Sequence, residues 1–552
     1  MTTSDWWQGA TIYQIYPRSF LDTTGNGVGD LPGIARKLDY IADLGVDAIW
    51  VSPFVQSPMK DYGYDVSDYH AVDPLFGQQE DVHILFEEAH ARGLKILMDQ
   101  VLSHTSDRHA WFLESKRSRH NPKADWYVWA DAAPDGGPPN NWLSVFGGSS
   151  WQWSPWRGQY YLHNFLREQP DLNFHNPEVQ DAMLDICRAW LDLGADGFRL
   201  DVCAFYFHDP ELRDNPPEPA TPRGAHFQFN PYSYQQHVHD IGQPQNLAFL
   251  ERLRALTDEY EDRVLLGELH QENYAQLHRD YTAPGRLHLA YGYEILGAER
   301  LSAGLMRRTA EKLGHGDGDG WPCWAMDNHD FMRAPTRCGW GRDPDAALLA
   351  LVALTCLRGA ACIYQGSELS LPEADLSFDQ LHDPYGQEFW PAYKGRDGAR
   401  TPMPWDEHLP HGGFSDAEPW LPVPHAHLRR AVSVQHAQPG SPLNRLRRFL
   451  TWRRQEPALR KGSMRFLDAP EDVLAFTRDD GRAPVFCVFN FSRTDACVRP
   501  DDSVCGPPLE GHGFGCHADG TGIHLPAWGA WFGRPDRDGT VVPLPRGRAR
   551  PA

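Results

Sequence analysis

Short runs rich in β-branched and aromatic residues alternate along the chain with longer stretches whose apolar positions recur at helical spacing. The candidate strands are Thr11–Ile15, Asp47–Ser52, Leu94–Val101, Gly197–Val202, Arg263–Leu269, His288–Tyr291, Cys323–Asp327 and Ala361–Tyr364. Between them Glu80–Arg92, Pro177–Leu193, Asn246–Tyr260 and Pro344–Arg358 carry the helical period. Strand followed by helix, repeated, predicts a parallel sheet covered by helices. Eight such units close into an α/β (β/α)8 TIM barrel, which needs about 250 residues and leaves room here for insertions.

Two stretches break the alternation. Residues 104–173, rich in Trp, Gly, Pro and Asn, follow the third strand and are expected to form an inserted small domain. Residues 367–424 form an extra irregular insertion after the eighth strand. The barrel then comprises residues 1–103 and 174–459, and both insertions fall on the face where barrel enzymes keep their active sites. After a helix at Pro442–Gln455 the pattern changes to short strands such as Val473–Thr477 and Val485–Phe491, so residues 460–552 are expected to be a C-terminal antiparallel β-domain. The tail from Arg534 is rich in Pro and Arg and is expected to be mobile.

The net charge of −22 argues against nucleic acid or an anionic membrane surface as partner and favours a neutral one. Twenty Trp and twenty Tyr provide flat faces suited to sugar rings. Met1 to Gly9 has neither a basic nor an apolar leader region, and no apolar run approaches the roughly 20 residues that cross a bilayer, so a cytoplasmic protein is expected. None of the ten cysteines forms a C-x-x-C pair, and Cys187, Cys203, Cys356 and Cys362 sit in apolar contexts that suit buried thiols.

Chemistry concentrates at the ends of the strands. In Gly197-Phe198-Arg199-Leu200-Asp201-Val202 the period of two puts Arg199 and Asp201 on one face and Phe198, Leu200 and Val202 on the other. The adjacent guanidinium is expected to lower the pKa of Asp201 and keep it ionised, as a nucleophile requires. Glu268 ends the apolar run Val264-Leu265-Leu266-Gly267-Glu268, where a neighbouring carboxylate and a dry cleft suit a proton donor. Asp330, with His329 beside it, ends the seventh strand, and Asp99 and His104 end the third. If the barrel closes, these groups meet in one site.

Those motifs together resemble the α-amylase superfamily of retaining glycoside hydrolases, and within it the oligo-1,6-glucosidase and α-glucosidase group. The resemblance runs from about Trp6 to Leu459. It is carried by Asp99-Gln100-Val101-Leu102-Ser103-His104, Gly197 to Asp201, Gly267-Glu268, Asn328-His329-Asp330, Gln169-Pro170-Asp171-Leu172-Asn173 and Gly395 to Trp405. It implies that Asp201 attacks the anomeric carbon, Glu268 protonates the leaving oxygen and Asp330 grips the ring hydroxyls. It also implies that Asp61, Tyr64, His104, Arg199, His329 and Arg400 line a pocket for the terminal glucose, with Phe165 as an apolar wall. A retaining mechanism sets the two reacting carboxyls about 5 to 5.5 Å apart. Ser103 stands where Asn is usual, and Ser367 replaces the first Glu of a Gly-Glu-Glu string, which is expected to change a supporting hydrogen bond and not the chemistry.

The loop Asp22 to Asp30 places oxygen-bearing side chains at alternate positions, as loops that wrap hard cations do. It resembles the family's calcium or magnesium site, with Asp22, Thr24, Asn26, the Val28 carbonyl and Asp30 as ligands to a structural ion. Only two of these carry charge, so weak binding is expected. Within the group that the chain resembles, a residue such as Val202 after the nucleophile is associated with α-1,6 cleavage. The segment Phe205 to Pro217 resembles a loop of bacterial α-glucosidases that favour short α-1,4 substrates, and it is given the greater weight. The expected function is release of terminal glucose from short, maltose-like α-glucosides, possible sucrose cleavage included, with transfer to glucosyl acceptors as a second activity, by a monomer or homodimer. The alternatives are an oligo-1,6-glucosidase, a sucrose isomerase or trehalose synthase, and a non-catalytic interaction module. Arg337-Cys338-Gly339-Trp340 lacks the charged loop of sucrose isomerases, and the intact carboxylates argue against the interaction module.

Overall fold

The computed structural model describes residues 5–219, 229–269, 274–314, 320–341, 343–498, 505–519 and 522–535. The tail beyond residue 535 lies outside the described residues.

Eight parallel strands close into a barrel: β1 (Thr11–Ile15), β2 (Ala48–Val51), β3 (Lys95–Gln100), β4 (Gly197–Leu200), β5 (Val264–Leu269), β6 (Leu289–Gly292), β7 (Trp321–Ala325) and β8 (Ala360–Tyr364). They follow one another round the barrel, and β8 closes on β1 through Thr11 opposite Ala361. Alternate side chains divide between two apolar clusters. Ile12, Trp50, Leu97, Leu266, Leu289 and Cys323 pack together inside, while Tyr13, Ile49, Ile96, Met98, Phe198 and Leu265 pack against the surrounding helices. On β4 the inward position after Gly197 is Arg199, a charge where its neighbours supply hydrocarbon. Gly197 is required there, because its φ is +149° and a Cβ would lie 2.0 Å from the Val264 carbonyl oxygen.

The helices follow the sequence pattern. Pro177–Asp192 starts at Asn176, whose side chain accepts from the Glu178 amide, and buries Val179, Met183, Ile186, Cys187 and Trp190 at spacings of three and four. Pro344–Cys356 is buried on nearly every side and packs against both the barrel and the strand Val485–Asn490.

One expectation fails at the end of β4. The strand does not continue to Val202; it stops at Leu200, and Val202 adopts a left-handed conformation with φ 36° and ψ 48°. For a β-branched residue this is a strained turn. It puts Val202 in the wall of the cavity at the barrel mouth while leaving it in the same apolar cluster as Phe198 and Leu200.

After β3 the chain forms a three-stranded antiparallel sheet of Trp129–Ala130, Trp151–Ser154 and Gln159–Leu162, with a small core of Val128, Trp142, Trp151 and Leu162. After β8 it forms short helices around Ala374, Leu376, Leu381 and Leu421 and carries Arg396 and Arg400 back to the mouth. The C-terminal strands make a five-stranded and a three-stranded antiparallel sheet. Among the described residues there is no disulfide, and no helix is long and apolar enough to cross a membrane. Cys187, Cys203, Cys356 and Cys362 are buried, as their contexts indicate, whereas Cys497 is exposed.

Candidate active site

Register builds the centre of the site. Parallel pairing sets Asp99 opposite Arg199, and Glu268 opposite Tyr291, so four polar side chains point into the same end of the barrel. Arg199 is fully buried. Its Nη1 donates to Asp99 Oδ1 at 2.8 Å and to Asp201 Oδ1 at 2.7 Å, its Nη2 donates to Glu268 Oε2, and Nε and Nη2 both reach the Tyr291 hydroxyl. The guanidinium lies over the Trp50 ring at 4.8 Å. A planar fork with five donors holds all three carboxylates at once, which an ammonium could not do. Asp201 and Glu268, from separate strands, thus flank one cation and line one cavity.

The expected effect of Arg199 on Asp201 is not what the structure gives. Complete burial pushes the Asp201 carboxyl well above the usual range; Arg199 pulls it down, but the charges of Glu268 and Asp99 add to the rise. Asp99 is likewise pushed up to about 6 by burial, against the pull of Arg199 and hydrogen bonds from Trp50 and Tyr64. One guanidinium thus leaves both Asp99 and Asp201 holding a proton more tightly than isolated acids would.

Asp330 has the opposite surroundings. Burial raises its pKa, but His329, Arg396 and Arg400 outweigh that and hold the carboxyl far below its ordinary value. Its Oδ1 accepts from Arg400 Nη2 at 2.9 Å and Arg396 Nη1 at 3.2 Å. The Asn328 side chain accepts from the Asp330 and Phe331 amides and fixes the turn after β7. His329 stacks parallel to Tyr64 at 5.3 Å and to Tyr16 at 5.6 Å. Gln14 Nε2 can only donate, so His329 Nδ1 accepts and Nε2 carries the hydrogen. Burial pushes His329 down to about 3, leaving it neutral. Its Nε2 lies 3.2 Å from Asp330 Oδ2, whereas Arg400 Nη1 is buried without a hydrogen-bond partner among the described residues. Both groups back Asp330, which lines the cavity itself.

The remaining expected residues also converge. Asp61 is buried; its Oδ1 accepts from Arg396 at 2.8 Å and its Oδ2 from Gln169 at 3.1 Å. The Tyr64 hydroxyl donates to Asp99 at 2.9 Å. His104 donates from Nε2 to the Tyr64 carbonyl and accepts at Nδ1 from Ser103, so the serine in the usual Asn position orients this ring. Burial holds His104 down at about 4. Phe165 packs beside His104, Phe146 and Phe205. Asp61, Tyr64, His104, Phe165, Asp201, Glu268 and Asp330 line the cavity directly, whereas Arg199, His329 and Arg400 stand behind that lining. Ser367 donates to Asp327 at 2.8 Å, while Glu368 accepts from Tyr13 and Tyr40.

Sequence reasoning missed Arg396, Tyr293 and an aromatic wall. Arg396 joins Asp61, Asp330 and Asp383. It lies four residues before Arg400 in the same motif, so the signal was present. Phe229, Tyr385 and Tyr393 form the outer wall, with Phe229 and Tyr393 stacked at 5.2 Å; nothing in their local sequence marks them.

In the loop after β1, Asp22 accepts from the amides of Thr24, Gly25 and Gly27 and from Ser415, and Asn26 accepts from the Val28 amide. Asp30 caps the helix Leu31–Arg36 through the Gly33 amide and also accepts from Thr23. The turn is therefore organised by its own hydrogen bonds, and its donor set is one of hard oxygens suited to calcium or magnesium.

Barrel, carboxylates and mouth together define a glycoside-processing enzyme of the alpha-amylase class. The family model for the alpha amylase catalytic domain matches residues 14–462, and the chain belongs to that family. It is 52% identical over 537 residues to a protein of Rhizobium meliloti (strain 1021) named "Probable alpha-glucosidase", covering 96% of this chain and 97% of that one. It is 36% identical over 547 residues to the oligo-1,6-glucosidase of Heyndrickxia coagulans, covering 91% and 95%. Among solved structures, the alpha-glucosyl transfer enzyme XgtA superposes with a TM-score of 0.92 at 52% identity, covering 97% of this chain and 100% of that chain.

Proposed function

We propose that this chain is a retaining, exo-acting α-glucosidase that releases the terminal glucose of short α-glucosides. The observation that carries the reading is the Arg199 guanidinium, which holds Asp201 and Glu268 from separate strands beside one cavity. Asp201 attacks the anomeric carbon while Glu268 passes its proton to the leaving oxygen, giving a glucosyl ester on Asp201 and a free alcohol. Glu268, now a carboxylate, removes a proton from water, which breaks the ester and returns glucose with its α configuration. An acceptor hydroxyl in place of water gives transglucosylation by the same step. Asp330 holds the ring hydroxyls, backed by His329 and Arg400, and Asp61, Tyr64, His104 and Phe165 close the pocket around the terminal sugar.

For linkage we favour α-1,4. The segment before Pro217 is tied to the inserted sheet: Trp142 Nε1 donates to the Arg213 carbonyl, and Asn140 and Asn141 donate to Leu212 and Asn215. A rim fixed in that way suits a short substrate. The Asp22–Asp30 loop would hold a calcium or magnesium ion as a structural brace.

Proton NMR of the first glucose released from an aryl α-glucoside, whose leaving group is not a sugar, tests the mechanism; α-glucose is expected, and β-glucose would overturn it. Initial rates on maltose, isomaltose, sucrose and maltotetraose test the specificity. Maltose should lead, and faster turnover of isomaltose would reverse the linkage.

A further inference from the structure

Glu268 has two unequal oxygens. Oε2 accepts from Arg199 and, at 3.1 Å, from the Val202 amide that the left-handed turn presents. Oε1 accepts from the Tyr293 hydroxyl at 2.8 Å. Tyr293 opens the short helix Tyr293–Leu296, which follows β6 after Gly292, and lines the cavity that Asp201 and Glu268 share. Its ring is held edge-on to Phe331, with centroids 4.8 Å apart. Packing thus fixes the ring, and the ring fixes the hydroxyl. Burial and the adjacent Glu268 charge raise the phenol well above its ordinary pKa, so Tyr293 is a neutral donor at every working pH.

We propose that Tyr293 is a positioning residue for the acid/base step: its hydroxyl orients Oε1 of Glu268 and stabilises the carboxylate left when the proton departs. The proposal rests on the reading of Glu268 as the acid. A donor that binds the ionised form better than the protonated form lowers the pKa of an acid and strengthens it. The benefit falls on leaving groups that need a proton, such as the hydroxyl of a second sugar, and not on those that depart unaided.

Tyr293→Phe keeps the ring and its packing and removes only the hydroxyl. Hydrogen bonds to charged groups imply that the alkaline limb of kcat/KM moves up by about one pH unit. Maltose turnover near neutral pH should fall roughly three- to tenfold, since a weaker acid transfers its proton more slowly. α-Glucosyl fluoride, whose leaving group needs no proton, should keep its pre-steady-state rate of fluoride release. An unmoved alkaline limb, or equal losses on both substrates, would overturn the proposal. Glu268→Gln separates this from the underlying reading: it should abolish maltose turnover yet still release a burst of fluoride, and a variant that hydrolyses maltose normally would remove Glu268 from its role whatever Tyr293→Phe does.

Discussion

Replacing Asp99 by Asn tests how the site balances its charges. Asp99 Oδ1 accepts from Arg199 at 2.8 Å, and Oδ2 accepts from Trp50 and Tyr64 at 2.9 Å each. Even with these donors its carboxyl is pushed from an ordinary 3.8 up to about 6, burial being the largest cause. A native state that holds this proton more tightly than the unfolded chain loses stability as pH rises through that window, and the full penalty applies above about pH 6. A rise of about two units corresponds to about 3 kcal/mol. Asn cannot ionise, so it removes this pH-dependent cost. It also turns an amide NH2 toward donors, losing about 1–3 kcal/mol at every pH. The two effects separate in a comparison across pH. Relative to the parent, the variant should fare better at about pH 8 than at about pH 4.5 by about 2 kcal/mol. Urea unfolding of both proteins at the two pH values measures this, and kcat should fall because Arg199 loses a partner. A stability difference that is the same at both pH values would refute the account of the cluster.

The same charges set the activity profile. Asp201 must be ionised to attack, and because its carboxyl is held above the usual range, the acid limb of kcat/KM should lie clearly above about pH 4; a limb at or below that value would mean that Arg199 prevails over burial. Asp201→Asn should lower turnover of maltose by roughly 10³-fold or more while leaving the melting curve in place, and retention of a few per cent of activity would contradict the nucleophile assignment. Arg396→Lys keeps the charge but loses the fork that spans Asp61, Asp330 and Asp383; kcat/KM on maltose should drop by roughly 10²-fold, with wild-type rates excluding a part in binding the terminal sugar. A chelator should lower the melting temperature more than the initial rate if the loop holds its ion, and an unchanged melting curve would count against it.

What was legible in the chain follows from which interactions are local. The eight strands could be read because each is a short apolar run bounded by turn residues, and the two-residue period alone puts Arg199 on the side of Asp201, where the 2.7 Å contact lies. That period failed at Val202. The sequence there continues the strand pattern, but the Val202 amide is needed by Glu268, and a contact made across 66 residues overrides a local preference. The direction of the Asp201 shift failed for a related reason. A neighbour two positions away is visible in the sequence, whereas the degree of burial and the charges of Asp99 and Glu268 exist only once the barrel has closed. Arg396 and Tyr293 make the same point from opposite sides. Arg396 sat inside a motif already singled out, and only its reach to three carboxylates distinguishes it from a residue that shapes the loop. Tyr293 lies in an ordinary helix start, and it matters because strand register sets Glu268 beside Tyr291, within reach of a hydroxyl two residues further on. The chemistry of this site therefore depends on groups that the barrel selects by closing, and a substitution that leaves every motif intact but shifts the β5–β6 register would disable it.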